Sequence, residues 1–176
     1  MPTPDVLTPA EIADALDAAM ATLRAELGAL PDRVLRWHPR AGEWCAKDVV
    51  GHLIEAERRG FAGRIRLILE RERPALQTWD QNEIARARRD CARPMSELLD
   101  ELTALRRDSA SLVRGLRNAH LDRGGDHPDV GALRVRELLQ EWVHHDRNHI
   151  RQAMANVQAY VWPAMGNSQK FSRAAD

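Results

Sequence analysis

The segment that opens at Pro94 carries a seam of mostly apolar residues at alternating intervals of three and four positions. Its members are Met95, Leu98, Leu102, Leu105, Ser109, Leu112 and Leu116. This spacing places the side chains along one face of an α-helix, and such a face is stable in water only when it packs on other elements. The seam therefore predicts a helix that contributes to the core of a larger helical assembly.

Three further segments have the same periodicity. Thr8 to Glu11 has the form of a capping box with Pro9 at the first helical position, so a first helix is predicted over roughly 9–28. Apolar stripes also predict helices over about 45–71 and about 132–157. No segment has the alternation of a convincing strand, and the chain is predicted to be all-α.

The connections between these helices differ in length. The periodicity fades between residues 74 and 93, so this stretch is predicted to be a long crossover with one short helix at 81–89. A long connection allows neighbouring helices to run parallel. Four amphipathic helices with one long and two short connections predict a four-helix bundle in a single domain over 1–176. Its core is expected at about 8–157, with a tail at 158–176 whose place is left open.

The inward stripe of the fourth helix changes from apolar to polar along its length. It contains Val135, Leu138, Trp142, His145, His149, Gln152 and Asn156. His145 and His149 are four residues apart and therefore lie one above the other on the helix face. His52 occupies a similar position in the stripe of the second helix, where an apolar residue is expected. The three imidazoles are predicted to face one another inside the bundle.

Two interpretations of these histidines are open. In the first, each imidazole is packed in the core and bonded to a neighbouring group, because buried polar side chains need partners. In the second, one divalent cation binds a nitrogen of His52, His145 and His149. Three protein ligands with one open position are typical of a catalytic zinc site.

Residues close to these histidines are candidates for supporting roles. Asp146 is a candidate acceptor for an imidazole N–H group, or alternatively a polar partner for another helix. Gln152 and Glu55 each lie within one turn of a ligand histidine and are candidates for holding a bound water or substrate. His144 falls on the polar arc of the fourth helix and is predicted to face water.

Composition excludes several classes of protein. Lys and Arg together number 26, as do Asp and Glu, which argues against a nucleic-acid-binding protein. No stretch approaches the ~20 apolar residues of a membrane span, and the N-terminus does not resemble a secretory signal, so a cytoplasmic location is expected. Cys45 and Cys91 do not form a Cys-x-x-Cys pair and are expected to be reduced. The Arg-rich stretch 58–93 is interpreted as a solvated surface, with an anion-binding patch as the alternative.

Several motifs in order resemble a known family. They are PRAGEWCAKDVVGHL at 39–53, the spacing Gly131-x-Leu133-x-Val135-x-Glu137-Leu138-Leu139, and His145-Asp146-x-x-His149-Ile150-x-Gln152. Together they resemble the DinB-like metalloprotein superfamily over roughly residues 10–157. Cys45 departs from the pattern, since the family commonly has a serine that caps the second helix there; a weaker cap costs about 1 kcal/mol. A thiol at this position is a potential site of oxidation.

The resemblance implies an up-down-down-up four-helix bundle, often a homodimer, with zinc or nickel held by His52, His145 and His149. It also implies a small-molecule substrate, because characterised members include S-transferases and isomerases that use a low-molecular-weight thiol, besides hydrolases. Three neutral imidazoles leave the metal its full positive charge, so a bound water or thiol is expected to lose a proton and act as the nucleophile.

Three hypotheses follow for the function. The first is a metal-dependent enzyme, either a thiol-dependent S-transferase or a hydrolase. The second is a non-catalytic metal-binding module in a stress response or a protein interaction. The third is a metal-free interaction bundle whose histidines are simply packed. Metal content separates the third from the others, and turnover of a thiol or ester substrate separates the first from the second.

Overall fold

The computed structural model describes residues 5–173, and nearly all of its regular structure is helical. Its α-helices are α1 Pro9–Gly28, α2 Asp32–Leu35, α3 Ala46–Glu55, α4 Ala62–Glu70, α5 Gln81–Arg88, α6 Met95–Arg114, α7 Asn118–Leu121, α8 Val135–Val161 and α9 Gln169–Arg173. A π-helical segment, Ala56–Phe61, joins α3 to α4, and 3₁₀ segments occupy Asp90–Ala92 and Trp162–Ser168. The four long helical segments are α1, α3 with α4, α6 and α8, so the predicted four-helix bundle is confirmed.

The start of α1 follows the predicted capping box. The backbone N–H of Glu11 donates to the Thr8 hydroxyl at 3.3 Å, and the backbone N–H of Thr8 donates to the Glu11 carboxylate at 2.8 Å. These two bonds satisfy N–H groups that the first turn of a helix leaves without intrahelical partners. The helix begins at Pro9 and ends at Gly28, as the sequence predicts.

Contacts between α1 and its neighbours give their directions. Arg24, late in α1, pairs with Asp100, early in α6, at 2.7 Å, so these helices are antiparallel. Arg147, in the middle of α8, donates to the carbonyl of Ala15 at 3.1 Å, and Gln140, one turn or more earlier in α8, donates to the carbonyl of Leu7 at 2.9 Å. The earlier residue of α8 contacts the earlier residue of the N-terminal segment, and the later contacts the later, so α1 and α8 are parallel.

The remaining pair of helices is also parallel. Lys47 at the start of α3 donates to the carbonyl of Arg93 just before α6 at 2.7 Å, and Arg58 further along pairs with Glu101 of α6 at 2.8 Å. Consecutive segments α3–α4 and α6 therefore point the same way. The order is up-down-down-up, as the resemblance implies, and the chain between α4 and α6 must return along the bundle.

Asp90 anchors this returning crossover against α3. Its buried carboxylate binds Arg88 at 2.6 Å and Arg93 at 3.1 Å. A Cβ atom added at Gly51 would come within 1.8 Å of Asp90 Oδ2, so only glycine allows this approach. Gly51 precedes His52, and the crossover is thereby fixed beside the histidines.

The interior consists of two apolar clusters with polar side chains between them. One cluster includes Phe61 and Trp142, and the other includes Leu53 and Leu98. The intervening polar layer contains His52, Glu57, Arg106, Ser109 and Asp146, all buried. Such groups are stable inside a protein only when each is bonded or paired. Their partners therefore determine what this layer does.

Two expectations about the chain after α6 are wrong in detail. Strands β1 Gly124–His127 and β2 Gly131–Arg134 form an antiparallel hairpin, although no strand was predicted. Residues 132–134 were assigned to the fourth helix, which instead begins at Val135. The hairpin turns through Gly131, whose φ of +78° suits glycine.

The tail is more regular than its sequence suggests. Helix α8 extends to Val161, and the 3₁₀ segment and α9 follow it. Tyr160 meets Trp37 in an edge-to-face contact with ring centroids 5.5 Å apart, which holds the end of α8 near α2. Within residues 5–173, no helix has both the length and the apolar character that crossing a bilayer requires.

Candidate metal centre

Three histidines from two antiparallel helices lie together at the polar layer. His52 comes from α3, and His145 and His149 come from successive turns of α8. One ring nitrogen from each lies within 4.8 Å of the others, and Nε2 of His52 is 3.0 Å from Nε2 of His145. The stripe positions identified in the sequence therefore converge on one point.

The orientation of His149 is fixed by Gln152. His149 Nδ1 lies 2.8 Å from Gln152 Oε1, and because an amide oxygen only accepts, Nδ1 carries the hydrogen and donates it. In the neutral ring Nε2 then has a free lone pair. An outer-shell partner of this kind typically fixes the tautomer of a metal-ligating histidine.

The other two histidines have buried nitrogens without partners. Within the described residues, Nδ1 of His52 and Nδ1 of His145 have no hydrogen bond. Their Nε2 atoms face each other, so one ring must supply a proton for the contact between them. A single cation would satisfy the convergent lone pairs of all three rings, and imidazole nitrogen is a preferred ligand of zinc and nickel. The donor set therefore fits a divalent metal.

Burial lowers the pKa of two of these imidazoles, His52 and His149. Burial, followed by the neighbouring His149 and His145, lowers the pKa of His52 to about 3. Burial and His145 also lower the pKa of His149, although the hydrogen bond to Gln152 opposes them. Since a metal binds only the neutral ring, these environments favour the ligating form.

A chain of buried ion pairs lies next to His145. Asp146 Oδ1 lies 4.0 Å from His145 Nδ1, and Asp146 Oδ2 accepts from Arg106 at 2.6 Å. Arg106 also pairs with Glu57, which accepts from the Ser109 hydroxyl at 2.7 Å. Burial acts to raise the pKa of Asp146, but the charge of Arg106 and the nearby His145 outweigh it and lower the pKa. Asp146 therefore bonds to Arg106 of α6, and its Oδ1 lies too far from His145 Nδ1 for the predicted hydrogen bond from an imidazole N–H.

Aromatic rings enclose the histidines. His52 stacks on Trp79 with ring centroids 5.6 Å apart and lies 4.9 Å from the ring of Trp44. Phe61 meets the edge of His145 at 5.1 Å. Sequence analysis missed Trp79 because it lies in the crossover, where no periodicity relates it to α3. These rings limit water around His52 and contribute to its low pKa.

A cleft of about 480 Å³ opens beside His149. Its lining consists of Gly42, Glu43, Trp44, Gln81, Asn82, His149, Gln152, Ala155 and Asn156. The volume is in the range of small-molecule sites. Four amide side chains among these residues can donate and accept hydrogen bonds, so the cleft suits a polar ligand.

Glu55 makes contacts other than those expected of it. Its carboxylate accepts from Arg59 at 2.5 Å and from Arg88 at 2.7 Å, and so joins α3 to the crossover. Arg58 and Arg93 likewise pair with Glu101. Much of the Arg-rich stretch thus forms ion pairs within the bundle, in addition to the exposed surface expected of it.

The expectation of reduced cysteines is wrong. Cys45 and Cys91 form a disulfide between the start of α3 and the crossover, with Cα atoms 6.8 Å apart. The two residues are 46 positions apart in the chain. Nothing in their spacing indicates that the crossover returns to the N-terminal end of α3, so the pairing could not be predicted.

Comparisons with known proteins agree with this arrangement. YfiT of Bacillus subtilis is 27% identical over 136 residues, which are 77% of this chain and 76% of that protein. A relative from Oceanobacillus iheyensis is 25% identical over 111 residues; the match spans 63% of each chain, less than two thirds of the relative. Both carry the provisional name of a metal-dependent hydrolase.

The solved structure of YfiT from Bacillus subtilis shares this fold, which its description calls an unusual four-helix bundle topology. The TM-score is 0.79 at 23% identity, over 90% of this chain and 91% of the other. The family model described as DinB superfamily matches residues 15–153, a span that includes all three histidines. The chain belongs to the DinB superfamily.

Proposed function

We propose that this protein is a metal-dependent hydrolase in which His52, His145 and His149 hold one divalent cation. The convergence of three imidazoles next to an open cleft carries the proposal. Relatives provisionally named as metal-dependent hydrolases support the reaction class. Zinc or nickel suits an all-imidazole site.

The chain's own residues position the ligands and the substrate. Gln152 holds the His149 ring in one tautomer, and Asp146, charged and paired with Arg106, lies behind His145. Trp44 and Trp79 flank His52 and restrict water to the side of the cleft. A cation in this setting supplies Lewis acidity, which lowers the pKa of a bound water or thiol and polarises a carbonyl.

The cleft favours a small polar substrate. Its amide side chains, Gln81 and Asn82 from α5 and Gln152 and Asn156 from α8, line the approach to His149. Asn156 also donates to the carbonyl of Trp44 at 2.9 Å, so its orientation is fixed. An ester or amide whose polar groups bond to these amides would present its carbonyl to the histidines.

A thiol-dependent transferase is the second candidate. The same charge that activates water would deprotonate a coordinating thiol. The cleft of about 480 Å³ has room for a low-molecular-weight thiol, and its amides suit the polar groups that such a thiol carries. The two candidate reactions use different nucleophiles at the same metal. Identifying the product therefore distinguishes them, whereas identifying the metal does not.

An assay of metal-loaded and metal-free protein tests the proposal. A panel of p-nitrophenyl esters and anilides is offered with water alone, and chlorodinitrobenzene is offered with a small thiol. We expect zinc- or nickel-loaded protein to hydrolyse a panel member, with at least a 100-fold loss on chelation and recovery on reloading. Product formation only with the thiol would favour the transferase.

His149→Ala and His144→Ala form a matched pair for this assay, since His144 is exposed on the same helix. Activity should be lost in the first variant and unchanged in the second. Stabilisation by metal without turnover of any substrate would favour the non-catalytic alternative. A homodimer also remains a prediction, which light scattering of the purified protein tests.

A further inference from the structure

A second group of metal-ligating side chains lies where the crossover meets the start of α3. It consists of His38, Cys45, Asp48 and Cys91, and one ligand atom from each lies within 4.8 Å of the others. Cys91 Sγ is 3.2 Å from Asp48 Oδ2 and 3.5 Å from His38 Nε2. None of these residues belongs to the three-histidine centre.

His38 is held in the tautomer that a metal ligand needs. Its Nδ1 lies 2.7 Å from the carbonyl oxygen of Glu43. A carbonyl only accepts, so Nδ1 carries the hydrogen, and in the neutral ring Nε2 presents its lone pair. That lone pair faces the sulfur of Cys91. A backbone carbonyl behind an imidazole is a common outer-shell partner in metal sites.

Asp48 adds an oxygen ligand of fixed position. Its Oδ2 accepts the backbone N–H of Cys45 at 3.1 Å and lies 3.2 Å from Cys91 Sγ. Burial raises the pKa of Asp48, with the N–H of Cys45 and the nearby His38 acting in the opposite direction. A partly buried carboxylate of this kind is stabilised in its charged form by a cation.

We propose that His38, Cys45, Asp48 and Cys91 form a second metal site, for a thiophilic divalent cation such as zinc, when the disulfide is reduced. Two thiolates, one imidazole and one carboxylate make four donors, the number that tetrahedral zinc takes. Thiolates favour zinc over magnesium or calcium. The site is independent of the proposed hydrolase function.

The metal form and the disulfide form exclude each other. Zinc–sulfur bonds of about 2.3 Å place two thiolates roughly 3.8 Å apart in a tetrahedral site, well beyond the ~2.05 Å of a disulfide. Both forms are compatible with Cα atoms 6.8 Å apart. A cleft of about 990 Å³ lined by His38, Asp48 and Cys91 gives reductants, oxidants and ions access.

Conversion between the disulfide form and the metal form is a two-electron reaction. A dithiol reductant gives two electrons and two protons to the disulfide of Cys45 and Cys91 and itself becomes a disulfide. The two thiols release those protons as they bind the cation. In the reverse direction a peroxide takes two electrons from the thiolates, which form the S–S bond, and it leaves as two hydroxide ions while the cation is released.

Cobalt titration tests this site directly. Protein is reduced with a dithiol, desalted without oxygen and titrated with Co²⁺, whose bonds to thiolate give a charge-transfer band in the near ultraviolet. We expect the band in reduced wild type and in reduced His149→Ala, and an at least tenfold weaker band in oxidised wild type and in reduced Cys91→Ser. His38→Ala should weaken it, whereas His120→Ala, at a remote histidine, should not.

Alkylation of both thiols in wild type is a second route that removes the ligands without a substitution, and it decides the outcome should Cys91→Ser not fold. The proposal is overturned if reduced wild type gives no band, or if the band survives alkylation. A band that persists in His149→Ala separates this site from the three-histidine centre. If the band instead disappears in folded His149→Ala, the thiolate site is not independent and the proposal fails.

Discussion

Gln152 Oε1 accepts a hydrogen bond from His149 Nδ1 at 2.8 Å, within one turn of α8. This bond directs the Nε2 lone pair of His149 toward His52 and His145, because the neutral ring carries only one hydrogen. The main contact of the Gln152 side chain is therefore with a candidate ligand and not with solvent. Loss of the Gln152 amide is therefore expected to lower the affinity for metal.

Gln152→Leu is expected to weaken zinc binding by about 10- to 100-fold, the usual effect of losing an outer-shell partner. The apolar side chain retains volume but cannot accept the Nδ1 hydrogen, so the ring can rotate or change tautomer. Competition with a chromophoric chelator gives the affinity. Gln158→Leu, at an exposed position of the same helix, is the control. Equal affinities for the two variants would contradict a role for Gln152.

Glu57→Gln is expected to change how stability depends on pH. Burial raises the pKa of Glu57 to about 7, against the charge of Arg106 and the bond from Ser109. In wild type the folded protein keeps this proton while the unfolded chain loses it near 4.5. The stabilisation is therefore complete below that value and is lost as pH rises through 7.

Glutamine has no proton to lose, so the variant lacks this dependence. The free energy of unfolding of wild type minus that of Glu57→Gln should fall by on the order of 2 kcal/mol between pH 5 and pH 8. Urea unfolding of the metal-free proteins at several pH values measures it. Glu97→Gln, at an exposed position on α6, should show little change. A difference that rises with pH would show that the ion pair with Arg106 outweighs burial.

Gly51→Ala is expected to destabilise the bundle by about 1–3 kcal/mol, since its Cβ atom would overlap Asp90 Oδ2 at 1.8 Å. The crossover would have to move away from α3. Gly60→Ala is a matched control, because its Cβ atom would meet only Ala56 Cβ at 3.8 Å, an ordinary contact. Urea midpoints measure both changes. Similar losses of stability in the two variants would mean that the packing of Asp90 on Gly51 is not the cause.

The helices and the histidine positions could be predicted because periodicity is a local property. Apolar spacing places His52, His145 and His149 on inward faces, and a bundle brings such faces together. The hairpin was not predicted, since its strands have only four residues each, and the crossover adds a distant backbone bond from the Leu76 N–H to the Asp126 carbonyl at 2.9 Å. Pairing of that kind leaves no pattern in the side chains.

Long-range contacts also explain what was missed at the site. Trp79 reaches His52 only because the crossover returns along α3, and the same path brings Cys91 to Cys45. The ion pairs of Glu55 with Arg59 and Arg88 combine a local and a distant partner. Arg59 can be predicted as a partner of Glu55 because the two are four residues apart on a helix. Arg88 can be predicted only when the path of the crossover is known.

Zinc stoichiometry of the disulfide form tests the three-histidine centre most directly, because oxidation removes the thiolate ligands from the count. Elemental analysis after zinc loading and desalting should give about one zinc per chain for wild type and for His144→Ala. It should give almost none for His52→Ala and His145→Ala, with folding verified by circular dichroism. Full zinc content in folded His52→Ala or His145→Ala, or none in wild type, would contradict the three-histidine centre.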